Sequence, residues 1–196
     1  MITPAQPDVV KAIIRREAVA RRDALPGAER ARAAEAIAAR PFPVAVARGA
    51  IVSGFSPLKS EISPLPLMRK LADGGAQLAL PVVAGKGKPL IMRRWGFGDP
   101  FVSGVWGIRE PVAEAPEVDP DILIVPMLAF DRKGHRVGYG AGYYDMTITA
   151  LRARKPVAAV GIAYAEQEVA QVPSTPRDAR LDLVLTEREV IDVRTV

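Results

Sequence analysis

Between residues 122 and 145 the chain reads Ile-Leu-Ile-Val-Pro-Met-Leu-Ala-Phe-Asp-Arg-Lys-Gly-His-Arg-Val-Gly-Tyr-Gly-Ala-Gly-Tyr-Tyr-Asp. The run from Ile122 to Phe130 has no polar alternation, so it predicts one strand covered on both faces, as in a parallel sheet between helices. Asp131 to Gly134 has the composition of a turn. Gly138, Gly140 and Gly142 then alternate through a loop, and Tyr143 onward can be helical. Strand, glycine loop and helix start together offer backbone N–H groups and a helix N-terminus to an anion. Arg136 before the glycines and Asp145 after them frame that site, and phosphate is the anion that suits it best. The spacing is not that of a dinucleotide fingerprint, and no Lys-Ser/Thr pair follows as in a Walker loop. The competing reading is a hairpin whose glycines serve only a tight bend.

With 196 residues, 49% of them hydrophobic, the chain can bury a sizeable core in one domain, and disorder is not expected. It has no cysteine, which excludes disulfides and thiolate metal sites. His135 is the one histidine, so a histidine metal cluster is excluded and a Ser-His-Asp arrangement is disfavoured. A metal would then need oxygen ligands, which favours Mg²⁺. The net charge is +5, but the cations come as dispersed pairs (Arg15-Arg16, Arg21-Arg22, Arg93-Arg94) without interleaved aromatics. That pattern fits an anionic small molecule better than nucleic acid. No apolar run is long enough to span a membrane, and no signal-peptide core is evident. A cytoplasmic monomer with neither nucleic-acid nor membrane partners is the expectation.

Helices are predicted over 8–24, with Asp8 as N-cap, over 27–39 after Pro26, and over 65–72 before Gly74-Gly75. In the first of these, Val10, Ile13, Ile14 and Ala18 make the apolar stripe, leaving Lys11 and Arg15 as neighbouring surface cations. Strands are predicted at 50–55, 77–83 (with Pro81 near its end), 90–95 and 156–163. A last strand is predicted at 181–186. Glu61 reads as a cap for the third helix. Trp106 reads equally as a stacking ring or a buried structural one. Asp145 and Asp178 alone read as turn and cap residues. The alternation of helices and strands predicts a layered α/β domain.

Arg136 to Asp145, preceded by Pro126-Met-Leu-Ala-Phe-Asp131, resembles the signature of the 5-formyltetrahydrofolate cyclo-ligase family. Four other segments agree, in the family's order: Lys11-Ala-Ile-Ile-Arg15, Phe55-Ser-Pro-Leu-Lys-Ser-Glu61-Ile62, Tyr164-Ala-Glu-Gln167, and Val172-Pro173 with Asp178. Ala141 and Met146 depart from the usual pattern. The resemblance implies a three-layer α/β/α fold with a mostly parallel central sheet, of the NagB/RpiA/CoA-transferase type. It also implies ATP- and Mg²⁺-dependent conversion of 5-formyltetrahydrofolate to 5,10-methenyltetrahydrofolate. On that resemblance Lys11, Arg15, Arg136, Val137, Gly138, Tyr139, Gly140, Ala141, Gly142, Tyr143 and Tyr144 bind ATP. Ser56, Glu61, Trp106, Tyr139 and Tyr143 face the reduced folate. Asp145 and Asp178 hold Mg²⁺, and Arg136, Tyr144 and Asp145 are catalytic. The rivals are a relative that binds ATP but acts on another substrate, and a basic nucleic-acid-binding module.

Overall fold

The computed structural model describes residues 7–194. At its centre is β6 (Ile122–Val125), all four of whose residues are buried. The apolar run is shorter as a strand than its sequence predicts. Pro126 lacks the N–H that a ladder needs, and the chain leaves the sheet there. Ala129–Phe130 form β7, which pairs with β8 (Arg136–Val137) in a separate two-stranded hairpin. The turn of that hairpin is Asp131 to Gly134, and Gly134 takes a φ of +82°. A Cβ on Gly134 would lie 2.9 Å from the Leu181 carbonyl, so both conformation and space demand glycine.

Seven strands form the main sheet, in the order β11-β10-β9-β6-β1-β2-β3. These are β11 (Val190–Asp192), β10 (Leu183–Leu185), β9 (Ala158–Ile162), β6, β1 (Ile51–Ser53), β2 (Gln77–Val82) and β3 (Ile91–Arg94). The five inner strands run parallel and both edge strands are antiparallel. The strand expected at 181–186 is not the last, because β11 follows it, too short at three residues to leave a periodic signal. Pro81 is tolerated for a visible reason. Trp95 N–H donates to the Leu78 carbonyl, so by alternation Pro81 faces Met92 at a pair that makes no hydrogen bond. On its other side the β1 pairing has already stopped at Ala79. A second small hairpin, β4 (Phe101–Ser103) with β5 (Arg109–Pro111), was not foreseen.

Alternate residues of β6 feed two cores. Ile122 and Ile124 pack with α2 (Gly27–Ala39) and α3 (Leu65–Asp73), through Ala33, Ala34, Ile37, Leu67, Met68 and Leu71. Leu123 and Val125 pack on the other face with Ile148 and Leu151 of α4 (Tyr143–Arg152). Helix, sheet and helix are thus the three layers, and full burial of each such side chain contributes about 1.5–3 kcal/mol.

The remaining helix, α1 (Pro7–Asp23), stands outside these layers. It lies across the carboxyl ends of the parallel strands, where Ala18 packs on Leu128, Ala129, Val137 and Val172. Asp8 falls inside its first turn rather than before it. No helix among the described residues is long and apolar enough to cross a membrane.

Candidate active site

The buried face of α1 is cationic. Lys11 and Arg22 are 7% and 2% exposed, whereas Ile13 is 43% exposed. At 100° per residue, Lys11, Arg15, Ala18 and Arg22 fall on one side of the helix. The expected apolar stripe with surface cations is therefore inverted at Ile13 and Lys11. Burying a cation is costly unless it is paired, and each has a partner. Lys11 Nζ donates to both carboxylate oxygens of Asp178, at 2.8 and 2.7 Å. Arg15 Nε donates to the Gly138 carbonyl at 2.9 Å. Arg22 donates through Nε to Ser60 Oγ at 2.9 Å and through Nη2 to the Tyr139 hydroxyl oxygen at 2.7 Å.

The glycine loop lies under this face. It leaves β8 and enters α4 through Gly142, whose φ of +70° makes it a left-handed N-cap with no side-chain cap bond. The first-turn N–H groups of α4 therefore face the loop without a capping side chain. Tyr139, Gly140 and Ala141 are exposed, and the Arg15 guanidinium lies 3.4–3.7 Å from where a Gly140 Cβ would be. Gly138 needs no positive φ, and a Cβ there would meet nothing within 4 Å. Neither backbone nor packing requires glycine at that position, so the open space suits a ligand approaching the backbone. Val137 is different: its side chain is buried against α1, and its carbonyl accepts from Leu128 N–H at 2.7 Å. The glycines do not form the hairpin's bend, which lies at 131–134.

Two carboxylates flank the loop. Arg136, on β8, donates from Nη1 to Asp145 Oδ1 at 2.8 Å, and Ala179 N–H donates to the same oxygen at 3.0 Å. The residue before Ala179 is Asp178, so the two acids meet at this strap. Asp178 also accepts from the Thr175 N–H and hydroxyl, closing a turn as its sequence context suggested. Burial works against its ionisation, but Lys11 and Thr175 outweigh it and hold the carboxyl below its ordinary range. No cluster of three or more His, Cys, Asp or Glu side chains suited to a metal occurs among the described residues. A cation here would take one or two carboxylates and complete its shell from phosphates and water, which is how Mg²⁺ is commonly held.

Glu61 follows Ser60, which Arg22 holds, and feels the Arg22 charge. It does not cap α3, which starts at Leu65. Its Oε2 accepts from the Leu58 N–H at 2.7 Å and closes a turn. Burial raises its carboxyl above the ordinary range, although Leu58, Arg22 and Tyr139 all favour the charged form. The Tyr144 hydroxyl is buried without a partner among the described residues, and burial, then the charge of Glu61, push its ionisation up against the opposing pull of Arg136. Burial and Glu61 also raise Tyr139. Trp106 is 66% exposed, in a left-handed conformation (φ 57°, ψ 21°), with its ring centroid 6.3 Å from that of Tyr143. The buried alternative for Trp106 is thus overturned. Ser56 Oγ donates to the Arg109 carbonyl at 2.7 Å, tying its loop to β5.

Two residues carry more than their sequence signal revealed. Arg22 carries no motif signal of its own, and its spacing of three helical turns from Lys11 is the one clue in the sequence. Gln167 is buried and holds the 126–128 crossover in place, with Nε2 donating to the carbonyls of Met127 and Leu128 at 2.7 and 3.0 Å.

A sequence model of the 5-formyltetrahydrofolate cyclo-ligase family matches residues 7–187. The 5-formyltetrahydrofolate cyclo-ligase of Mycolicibacterium smegmatis is 32% identical over 151 residues, covering 73% of this chain and 76% of its own. That of Escherichia coli is 31% identical over 147 residues, covering 71% and 79%. The solution structure of Aquifex aeolicus 5,10-methenyltetrahydrofolate synthetase superposes with a TM-score of 0.77 at 29% identity, over 94% of this chain and 93% of that one. With the fold, the motif order and the match over 7–187 in agreement, the chain belongs to the 5-formyltetrahydrofolate cyclo-ligase family.

Proposed function

We propose that this chain converts 5-formyltetrahydrofolate and ATP to 5,10-methenyltetrahydrofolate, ADP and phosphate. The observation that carries the reading is the arrangement under α1: an open glycine loop ringed by Lys11, Arg15 and Arg136, beside a desolvated carboxylate, Glu61. Two kinds of ligand chemistry meet there. Loop N–H groups, the α4 N-terminus and three cations suit a polyphosphate. A carboxylate held short of full solvation suits paired N–H donors such as a pterin ring offers, because such a ligand relieves its burial cost.

Lys11, Arg15, Arg136 and the loop Val137 to Tyr144 bind ATP, Val137 through its backbone position alone. Ser56, Glu61, Trp106, Tyr139 and Tyr143 face the folate; exposed Trp106 and half-buried Tyr143 offer flat surfaces for a ring. Asp145 and Asp178 would hold Mg²⁺, with Lys11 yielding Asp178. The ion supplies neutralisation of phosphate charge when bound. Arg136, Tyr144 and Asp145 surround the reacting end.

An amide oxygen leaves poorly until it is phosphorylated. The formyl oxygen attacks the γ-phosphorus, the bond to the β-bridging oxygen breaks and ADP leaves. N10 then attacks the formyl carbon and loses its proton, the C–O bond to phosphate breaks, and the amidinium of the methenyl product remains. Such phosphoryl transfer needs positioning and charge neutralisation rather than a protein nucleophile. That agrees with a chain without cysteine and with one histidine, which is engaged by Asp131.

The test is a spectrophotometric assay with 5-formyltetrahydrofolate, Mg²⁺ and ATP. Growth of the methenyl product's near-ultraviolet band, dependent on ATP and matched by ADP release, is expected. Folded protein that binds ATP but yields no band would assign the chain a different substrate.

A further inference from the structure

Arg22 is 2% exposed, and two of its nitrogens reach separate loops. Nε holds Ser60, next to Glu61, and Nη2 holds the hydroxyl of Tyr139, between Gly138 and Gly140. Ser60 Oγ in turn donates to Asp23, on the same helix end. The third nitrogen, Nη1, is buried and has no hydrogen-bond partner among the described residues. A guanidinium is a rigid planar fork, so the positions of its two acceptors are linked: moving one loop strains or frees the bond to the other. The face of α1 that bears Arg22 also bears Arg15, which holds the Gly138 carbonyl.

We propose that Arg22 is a positioning residue that couples the two substrate subsites, so that occupancy of the Glu61 loop by the folate orders the glycine loop for ATP, and the reverse. The inference rests on the function proposed above, which puts one substrate on each loop. The coupling is reciprocal: whatever factor folate gains from ATP, ATP gains from folate. The orphan Nη1 is the reserve that makes the linkage cooperative. Left unsatisfied it costs stability in the free protein, and a shift of either loop that brings it an acceptor recovers that cost for both ligands. Burial of Glu61 strengthens the same linkage, because its charge is felt by Arg22 and by Tyr139.

The experiment is calorimetric titration with a non-hydrolysable ATP analogue and Mg²⁺, with and without saturating 5-formyltetrahydrofolate. Wild-type protein should bind the analogue about 5- to 50-fold more tightly when folate is present, within the usual range of such couplings. Arg22→Lys keeps the charge but cannot span both acceptors. It should bring that ratio close to 1 while each ligand alone still binds. Tyr139→Phe deletes the hydroxyl that accepts from Arg22 and that also faces Glu61, so it cuts the tie between the loops at its other end while Arg22→Lys isolates the guanidinium's own part. At this half-exposed position it leaves the fold intact, so it carries the test even where Arg22→Lys does not fold. Tyr139→Phe retaining the wild-type ratio overturns the proposal, as does wild-type protein binding both ligands independently. Wild-type protein binding neither ligand refutes the assigned function and the coupling with it, a result visible before any variant is made.

Discussion

The two ends of the parallel strands use the same residue types to opposite effect. At the amino end, Asp121 and Asp182 are clamps. Asp121 accepts the Ile51 N–H at 2.8 Å and pairs with Lys155 at 2.5 Å. Asp182 accepts the Ala159 N–H at 2.7 Å and pairs with Arg152 at 2.7 Å. Each aspartate joins two neighbouring strands, and its cation comes from α4 or the turn after it. At the carboxyl end, Glu61, Asp145 and Asp178 also have cations, but there the arrangement is unfinished. Two of the three buried side-chain polar atoms without partners among the described residues, Arg22 Nη1 and the Tyr144 hydroxyl, lie at this end. The third, Trp95 Nε1, sits in an aromatic cluster with Phe97 and Phe101. A buried polar group that lacks a partner costs stability, so a fold keeps it where a ligand completes it. The aspartates at the amino end hold the sheet, whereas the carboxyl end adds buried polar atoms that no protein group satisfies among the described residues.

Substitutions at the carboxyl end should therefore lower turnover per folded molecule, and those at the amino end should not. The largest effect belongs to Arg136→Ala, which should lower kcat/KM roughly 100- to 1000-fold in the methenyl assay by removing a preorganised cation. It should also cost about 3 kcal/mol in denaturant unfolding, because Asp145 loses its buried partner. Arg136→Lys should recover most of that stability but little of the rate, since a point charge does not replace the fork. A full recovery of rate would reduce Arg136 to a structural ion pair.

Next come the two lysines. Lys11→Ala should lower the rate roughly tenfold or more, read as KM for ATP. Lys155→Ala should leave kinetics unchanged and cost only about 0.5 kcal/mol, because its pair with Asp121 is partly exposed. Equal kinetic effects would erase the distinction between the ends.

The pH dependence of stability should differ in sign. Glu61 is raised above its unfolded value of 4.5, so its folded form favours the proton. Its contribution to stability is fully present below 4.5 and is lost as pH rises through the folded value. Glu61→Gln should consequently raise the Tm at pH 7, with the gain shrinking toward pH 4, while weakening folate binding. Asp121 is held below its unfolded value of 3.8, where burial is outweighed by Lys155 and the Ile51 N–H. Its stabilisation is present above 3.8 and is lost as pH falls through the folded value. Asp121→Asn should lower the Tm at pH 7, and the difference should close in acid. Parallel pH curves for the two variants would contradict the contrast.

The smallest effect is expected at Trp106. Its left-handed backbone costs about 1 kcal/mol for a residue with a Cβ, and its ring is mostly exposed. Trp106→Gly should melt no lower than wild type yet raise KM for the folate several-fold. An unchanged KM would remove Trp106 from the folate surface.

Much of this architecture is readable from the chain because periodicity and punctuation report local physics. Pro26 and Pro41 bound α2, and Gly74-Gly75 ends α3. The apolar density of β6 shows burial on both faces. What is not readable depends on tertiary context. The run 122–130 gave no sign that Pro126 divides it between two sheets. Ile13 looked like core and Lys11 like surface, because helical spacing identifies a face but not which face is covered. The inversion on α1 follows from what lies beneath it, a loop and two acids rather than an apolar sheet. Arg22 needed the structure for the same reason: its partners, Ser60 and Tyr139, lie 38 and 117 residues away. The glycine loop reads from the sequence as a candidate anion site, whereas nothing in the sequence pairs Asp145 with Arg136 or Asp178 with Lys11.

The most direct measurement is the methenyl assay run on Asp145→Asn and Asp182→Asn side by side, with a thermal melt of each. Both are aspartates paired to an arginine, one at each end of the parallel strands. The account predicts that Asp145→Asn loses the ATP-dependent band even per folded molecule, and that it also melts lower because buried Arg136 loses its charge partner. It predicts that Asp182→Asn melts lower but turns over at the wild-type rate per folded molecule. Wild-type turnover by Asp145→Asn would contradict the account, because the unfinished end of the sheet would then not be where the chemistry occurs.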